Sequence, residues 1–251
     1  MVEGKRKRYR CRYMEIGNML DTDKEMHMLE NEYCCDLLSY ELRKQVKIIE
    51  YNQKIREYAF IIPHSVSYML LDYCVFCGHK LPHSLRHIWC DILRSEYKIQ
   101  SIFGRDRDKI PTDFLTDEWW RQRNLNDENN FLLFNRKLKR DKRRQELDYS
   151  ILQDRLNYKG PHCCVDMQWE IDSEISIIKY CSHLREHQVQ STGFLVLDFC
   201  PFCGKKEPQS LRKKWLEILK EDYGLVDPLK KDQKKVPQEF LTDEWWRERG
   251  L

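Results

Sequence analysis

Two short stretches carry residue types that bind soft metal ions. Cys74-Val-Phe-Cys77-Gly78 and Cys200-Pro-Phe-Cys203-Gly204 each set two thiols two residues apart, followed by a glycine. That spacing lets both sulfurs reach one ion in a tight turn, and the glycine permits the positive φ such a turn often requires. Upstream of each lies an adjacent pair, Cys34-Cys35 or Cys163-Cys164. Zinc takes four soft or borderline ligands in a tetrahedron. The expected complement is therefore two structural Zn2+ ions per chain. Cys34, Cys35, Cys74 and Cys77 would hold one; Cys163, Cys164, Cys200 and Cys203 would hold the other. There is a geometric objection. Neighbouring side chains of an extended strand point to opposite faces, so both members of a Cys-Cys pair reach one ion only if the backbone turns there. The second set offers His162, Cys181 and His183 as substitutes, whereas the first has Tyr33 opposite His162 and nothing ligand-like near the Cys181 position. A redox role for the Cys-x-x-Cys pairs is the alternative, but no helix N-terminus directly follows the first cysteine to depress its pKa. Cys90 reads as part of an apolar helix face, and Cys11 as a thiol in an unstructured tail.

The elements that must position these cysteines form a repeat. Leu71-Asp-Tyr-Cys-Val-Phe-Cys-Gly78 returns as Leu197-Asp-Phe-Cys-Pro-Phe-Cys-Gly204, an offset of 126 that holds to the end of each copy. The Cys-Cys pairs are offset by 129, so the copies differ by three residues between pair and knuckle. The bounds read as a basic tail over 1–25, unit 1 over 26–125, a basic linker over 126–150 and unit 2 over 151–251. Apolar and β-branched runs at 58–62 and 66–73, and at 174–180 and 193–199, predict strands leading into each knuckle. After Ser84, a good N-cap, Leu85, Ile88, Trp89, Ile92 and Leu93 follow the spacing of one helix face. Ser210 with Leu211, Trp215, Ile218 and Leu219 repeats the plan. Thr116 and Thr242 each precede Asp-Glu-Trp-Trp, a capped short closing helix with acids in its first turn. The fold class expected is α+β: two tandem, small, zinc-ribbon-like domains, each with short antiparallel strands leading to a Cys-x-x-Cys knuckle followed by amphipathic helices.

Composition narrows the function. Charged residues are 34% of the 251, so half the chain makes a small domain with a modest core, which needs a staple. The 11 cysteines offer one. The opening residues, Met-Val-Glu-Gly-Lys-Arg-Lys-Arg-Tyr-Arg, lead into no apolar run, which argues against a secretory signal. No stretch approaches the roughly 18–20 apolar residues of a membrane span. The expectation is a cytoplasmic protein, or a nuclear one in a eukaryotic cell, with reduced thiols and no membrane partner. A net charge of +3 means that any attraction to nucleic acid is local. The basic residues suited to it are Arg136, Lys137, Lys139, Arg140, Lys142, Arg143 and Arg144, with a second run at 5–12. Trp119, Trp120, Trp245 and Trp246 would then stack on bases, against the plainer reading that they cover the core. His79, His83 and His87 read as a solvated face, because unit 2 has Lys205, Gln209 and Lys213 there. No phosphate loop, nucleophile elbow or His-Glu-x-x-His occurs, and four cysteines leave a zinc ion no open position for catalysis. The expected function is a non-catalytic, zinc-stabilised tandem module that binds another macromolecule, a protein first. A nucleic-acid-binding regulator is the alternative, and a thiol-redox or other zinc enzyme the third reading.

The units resemble an uncharacterised bacterial domain family. Its members open with Cys-Cys, end a strand in Tyr-Cys-Pro-x-Cys-Gly-Lys-Lys-Leu-Pro, continue into Ser-Leu-Arg-x-x-Trp and close near Trp-Trp. The matching stretches are Cys163-Cys164, Phe199 to Pro208, Ser210 to Trp215 and Thr242 to Trp246, and in unit 1 Tyr73 to Pro82 and Ser84 to Trp89. Val75 replaces the knuckle proline, and unit 2 departs from the pattern at Glu207. The resemblance implies a small zinc-binding fold with no known activity and, by analogy, an immunity- or adaptor-like role.

Overall fold

The computed structural model describes residues 33–63, 65, 68–102, 104–127, 129–131 and 155–251. Each unit begins with a helix that the strand-first reading missed. Helix α1 (Asp36–Arg43) starts directly after Cys35 and presents Leu38 and Leu42 to the interior. Strands β1 (Ile49–Asn52), β2 (Glu57–Ile61) and β3 (Tyr68–Leu70) form an antiparallel sheet in sequence order. Its register pairs Ile49 with Phe60 and Phe60 with Met69, so the buried side chains share one face. After the knuckle come helix α2 (Arg86–Ser95) and the single-turn helix α3 (Glu118–Arg121). Unit 2 repeats the order: α4 (Val165–Asp172), β4 (Ile178–Cys181), β5 (Glu186–Gln190), β6 (Phe194–Val196), α5 (Arg212–Tyr223) and α6 (Glu244–Arg247). Strands β1 and β5 were also not anticipated. The stretch 174–180 becomes strand only from Ile178, because a turn and Ser176 precede it. Ser176 Oγ accepts from the Ile178 amide at 3.0 Å and so sets the strand's start.

The start of α2 is fixed by a buried carboxylate. Glu57 Oε1 accepts from Ser84 Oγ at 2.5 Å and from Arg86 Nε at 2.9 Å, which ties the helix to β2. Glu186, Ser210 and Arg212 repeat the cluster in unit 2. The outer end of each unit closes through its tryptophans. Trp119 and Trp120 Nε1 donate to the carbonyls of Lys54 and Gln53, in the β1–β2 turn. Trp245 and Trp246 do the same to His183 and Ser182. This outer core reaches Phe131 in unit 1, inside the stretch read as linker.

The two units pack on each other. One buried cluster contains Leu38, Ile49, Phe60 and Cys74 of unit 1 together with Met167, Ile178, Val189 and Cys200 of unit 2. The contact is reciprocal. Val75 O, inside the first knuckle, accepts from the Asp198 and Phe199 amides at 3.2 and 3.0 Å. Pro201 O, inside the second, accepts from the Asp72 and Tyr73 amides, both at 2.9 Å. Positions 72, 73 and 75 correspond to 198, 199 and 201 under the repeat offset, so the interface has the self-complementary form of a two-fold dimer. It also explains the knuckle glycines. Gly78 and Gly204 both have φ of +70°, and a Cβ on Gly78 would lie 2.5 Å from the Phe199 ring across the interface, as one on Gly204 would collide with Tyr73.

That arrangement predicts a graded pair of substitutions. Gly224 ends α5 at φ +66° with open space where a Cβ would sit. Gly224→Ala carries only the left-handed backbone penalty, about 1–2 kcal/mol. Gly204→Ala adds the collision with Tyr73 and is expected to destabilise further, by about 1–3 kcal/mol beyond that. Equal denaturant midpoints for the two variants would show that the inter-unit contact contributes nothing at this point.

Candidate metal centre

The chain turns at Tyr33–Cys35 before α1, and this resolves the geometric objection to the Cys-Cys pairs. Cys35 is extended, at φ −161° and ψ 160°, and directly precedes the helix; Cys164 repeats this at φ −160° and ψ 165°. Each knuckle closes on itself. The Cys74 amide donates to His79 O and the Gly78 amide to Cys74 O, both at 2.8 Å; the Cys200 and Gly204 amides mirror them. The two segments of each unit then bring four sulfurs together.

Cys34 Sγ lies 3.6 Å from Cys77 Sγ, and Cys35 Sγ 3.7 Å from Cys74 Sγ. In unit 2, Cys163 lies 3.6 Å from Cys203 and Cys164 3.8 Å from Cys200. Within each set all four sulfurs fall within 4.8 Å of one another. A tetrahedral ion with metal–sulfur bonds of about 2.3 Å sets its sulfurs about 3.8 Å apart. Both clusters therefore have the size of a four-sulfur metal site. Cys74 and Cys200 are fully buried, whereas Cys34 sits at the surface, giving an ion a way in.

The electrostatics point the same way. Four thiols this close cannot titrate alike. Hydrogen bonding to Cys34 holds Cys77 and Cys35 below the ordinary thiol range, while contact with Cys34 pushes Cys74 up. In unit 2, contact with Cys163 pulls Cys164 down while Cys164 pushes Cys163 up. Four thiolates this close repel one another, and a dication takes the place of their protons when all four ligate. The Leu38 and Met167 amides, in the first turns of α1 and α4, pull Cys35 and Cys164 down as well.

The other proposed ligands lie elsewhere. Cys181 Sγ contacts His183 Nδ1 at 3.3 Å, away from the four-sulfur cluster. Burial raises the Cys181 pKa and lowers that of His183. His162 faces His187 instead, its Nδ1 3.2 Å from His187 Nε2. The pairs, not these substitutes, complete the clusters, because the turn before each helix aims both sulfurs at the knuckle. Cys90 is half-buried beside unit 1's outer core. Arg136, Lys137, Lys139, Arg140, Lys142, Arg143 and Arg144, the run at 5–12, Cys11 and the tail 1–25 lie outside the described residues. Two buried polar residues of unit 2, His187 and Glu207, were not singled out as a site. The repeat carried a signal for them: they occupy positions held in unit 1 by Tyr58 and Leu81.

No helix among the described residues is long and apolar enough to cross a membrane. No curated protein and no solved structure matches the chain. One family profile matches it twice, over residues 22–122 and 141–248, and each match contains one Cys-Cys pair, one knuckle and one Trp-Trp helix. The chain belongs to the family described as a domain of unknown function, DUF6980, and carries that domain in tandem.

Proposed function

We propose that the chain is a non-catalytic tandem module of zinc-ribbon type, held together by two structural Zn2+ ions, whose task is to bind another macromolecule, a protein. The observation that carries the metal reading is the pair of four-sulfur clusters with tetrahedral spacing. Four thiolates fill the coordination sphere of zinc and leave no position for substrate, which favours a structural over a catalytic ion. A thiol-redox role has little support: the first cysteine of each knuckle is fully buried, where a disulfide-exchanging thiol must be reachable. A protein partner is favoured by Leu115 and Leu241. They hold matching places in the two units and both stay exposed, so the repeat retains an apolar side chain that neither core uses. The reading assigns the tryptophans to the fold.

Two measurements test it. Protein purified under reducing conditions is expected to carry about two zinc ions per chain by elemental analysis. Freshly isolated, folded protein without transition metal would remove the basis of the proposal. The rival nucleic-acid reading predicts binding to DNA or RNA that falls steeply between about 50 and 200 mM salt, as counterion release requires. It further predicts that glutamine at 136, 137, 139, 140, 142, 143 and 144 abolishes that binding with metal content unchanged. The present reading expects the glutamine variant to keep its protein partner after nuclease treatment.

A further inference from the structure

The repeat supplies an internal control for unit 2. Glu207 and His187 are buried, with side chains 3% and 5% exposed, and Glu207 Oε2 lies 2.7 Å from His187 Nδ1. His187 Nε2 lies 3.2 Å from Nδ1 of the half-buried His162. Unit 1 builds the same sheet with Leu81, Tyr58 and Tyr33 at these places. The correspondence is set by the backbone: Leu81 and Glu207 donate to Asp72 O and Asp198 O, and Tyr58 and His187 pair with Tyr51 and Tyr180. The fold therefore does not need the polar cluster. A buried carboxylate–imidazole pair is also no gain in stability over well-packed apolar side chains of similar size. Its presence calls for a role that unit 1 lacks.

We propose that His162 and His187 form a third metal site for a borderline transition dication such as Zn2+, Co2+ or Ni2+. The acceptor geometry fits. Metal–nitrogen bonds of about 2.0–2.1 Å put two imidazole nitrogens roughly 3.3–3.4 Å apart on a tetrahedron, close to the observed separation. With its Nδ1–H given to Glu207, His187 turns Nε2 towards His162, the carboxylate–histidine backing by which ligating imidazoles are held and made more basic. The carboxylate's other oxygen lies 3.7 Å from Cys163 Sγ. A carboxylate beside a metal-bound thiolate is a repulsive pair, and a dication on the two imidazoles offsets it. The Tyr180 ring packs against both histidines and holds them in place; the two imidazoles are the chain's ligands, and the remaining positions fall to water. The inference is independent of which metal fills the four-sulfur clusters, but its setting beside Cys163 rests on that reading.

The experiment is a Co2+ titration of the full-length, metal-free protein followed by visible and near-ultraviolet absorption. Expected are two tight equivalents with thiolate-to-cobalt charge-transfer bands, then a third, weaker equivalent that adds none. His187→Tyr and His162→Tyr, which install unit 1's residues, should each abolish the third equivalent and leave the charge-transfer bands intact. Glu207→Gln should weaken it about 10–100-fold. Saturation of the parent protein at two equivalents overturns the inference while sparing the four-sulfur reading. A third equivalent that survives in both tyrosine variants, held for instance by His79 and His83, overturns it too. Absence of all charge-transfer bands defeats the four-sulfur reading instead, and a histidine-dependent equivalent that remains then supports the third site alone.

Discussion

Cys200→Ser is expected to abolish metal binding at both four-sulfur clusters, not one. The ordinary expectation for a repeat is independence: substituting Cys74 or Cys77 would unfold unit 1 and leave unit 2 loaded, and Cys200 or Cys203 the reverse. The shared core changes that expectation. Structural zinc contributes about 10–16 kcal/mol to the folding of a small domain, which matches or exceeds the about 5–15 kcal/mol by which a whole protein is stable. Loss of one ligand therefore releases its knuckle. Release of residues 200–204 takes away Pro201 O, the acceptor for the Asp72 and Tyr73 amides that lead directly into Cys74. It also removes Cys200 and its neighbours from the cluster that buries Cys74. Elemental analysis together with near-ultraviolet circular dichroism is the measurement. Cys200→Ser and Cys74→Ser should give the same result, near-zero metal and collapsed aromatic signal. Cys11→Ser should match the parent protein. One retained equivalent in either knuckle variant, with a native tryptophan signal from the other unit, would establish that the units fold separately.

The next largest effect is expected at the closing helices. Trp119 and Trp245 are fully buried, and each stacks on a phenylalanine, Phe114 at 5.3 Å and Phe240 at 5.5 Å. Each also donates its indole N–H to the turn that joins the first two strands of its unit. Trp119→Ala or Trp245→Ala removes a large core side chain and orphans a carbonyl, at a cost of about 3–5 kcal/mol. For a protein of this size that lowers the melting temperature by about 6–20 °C. A base-stacking platform behaves otherwise: the variant would keep its melting temperature and lose about 1–3 kcal/mol of single-strand binding per base. A stable Trp245→Ala protein that no longer binds single strands would reverse the ranking of the two functions. Trp246, half-buried beside Arg185 and Arg247, is expected to give a smaller loss than Trp245.

Residue type and spacing were enough for some features. The two knuckles and the buried face of α2 follow from short-range pattern, because a two-residue Cys spacing and an i, i+3, i+4 stripe are local properties of the backbone; the duplication is read directly from the repeated residues. Helices α1 and α4 escaped notice because each is only eight residues long. Strand β5 reads Glu-His-Gln-Val-Gln, with no apolar alternation to announce it. Its burial is decided by partners on β4, β6 and the segment around Glu207, not by its own composition.

What the sequence determined by itself is the chemistry of each half: which side chains are soft ligands, and that the Cys-Cys pair, the knuckle and the segments after it occur twice. Only the tertiary structure decided how the halves meet. The Cys-Cys sulfurs converge because the chain bends before a helix, and the knuckles pair because each offers a bare carbonyl at position 75 or 201 to amides of the other. Such contacts use backbone groups that every residue carries, so no side-chain pattern marks them. The Glu207–His187–His162 chain likewise joins residues 20 and 25 positions apart, brought within hydrogen-bond reach by the fold of the sheet alone.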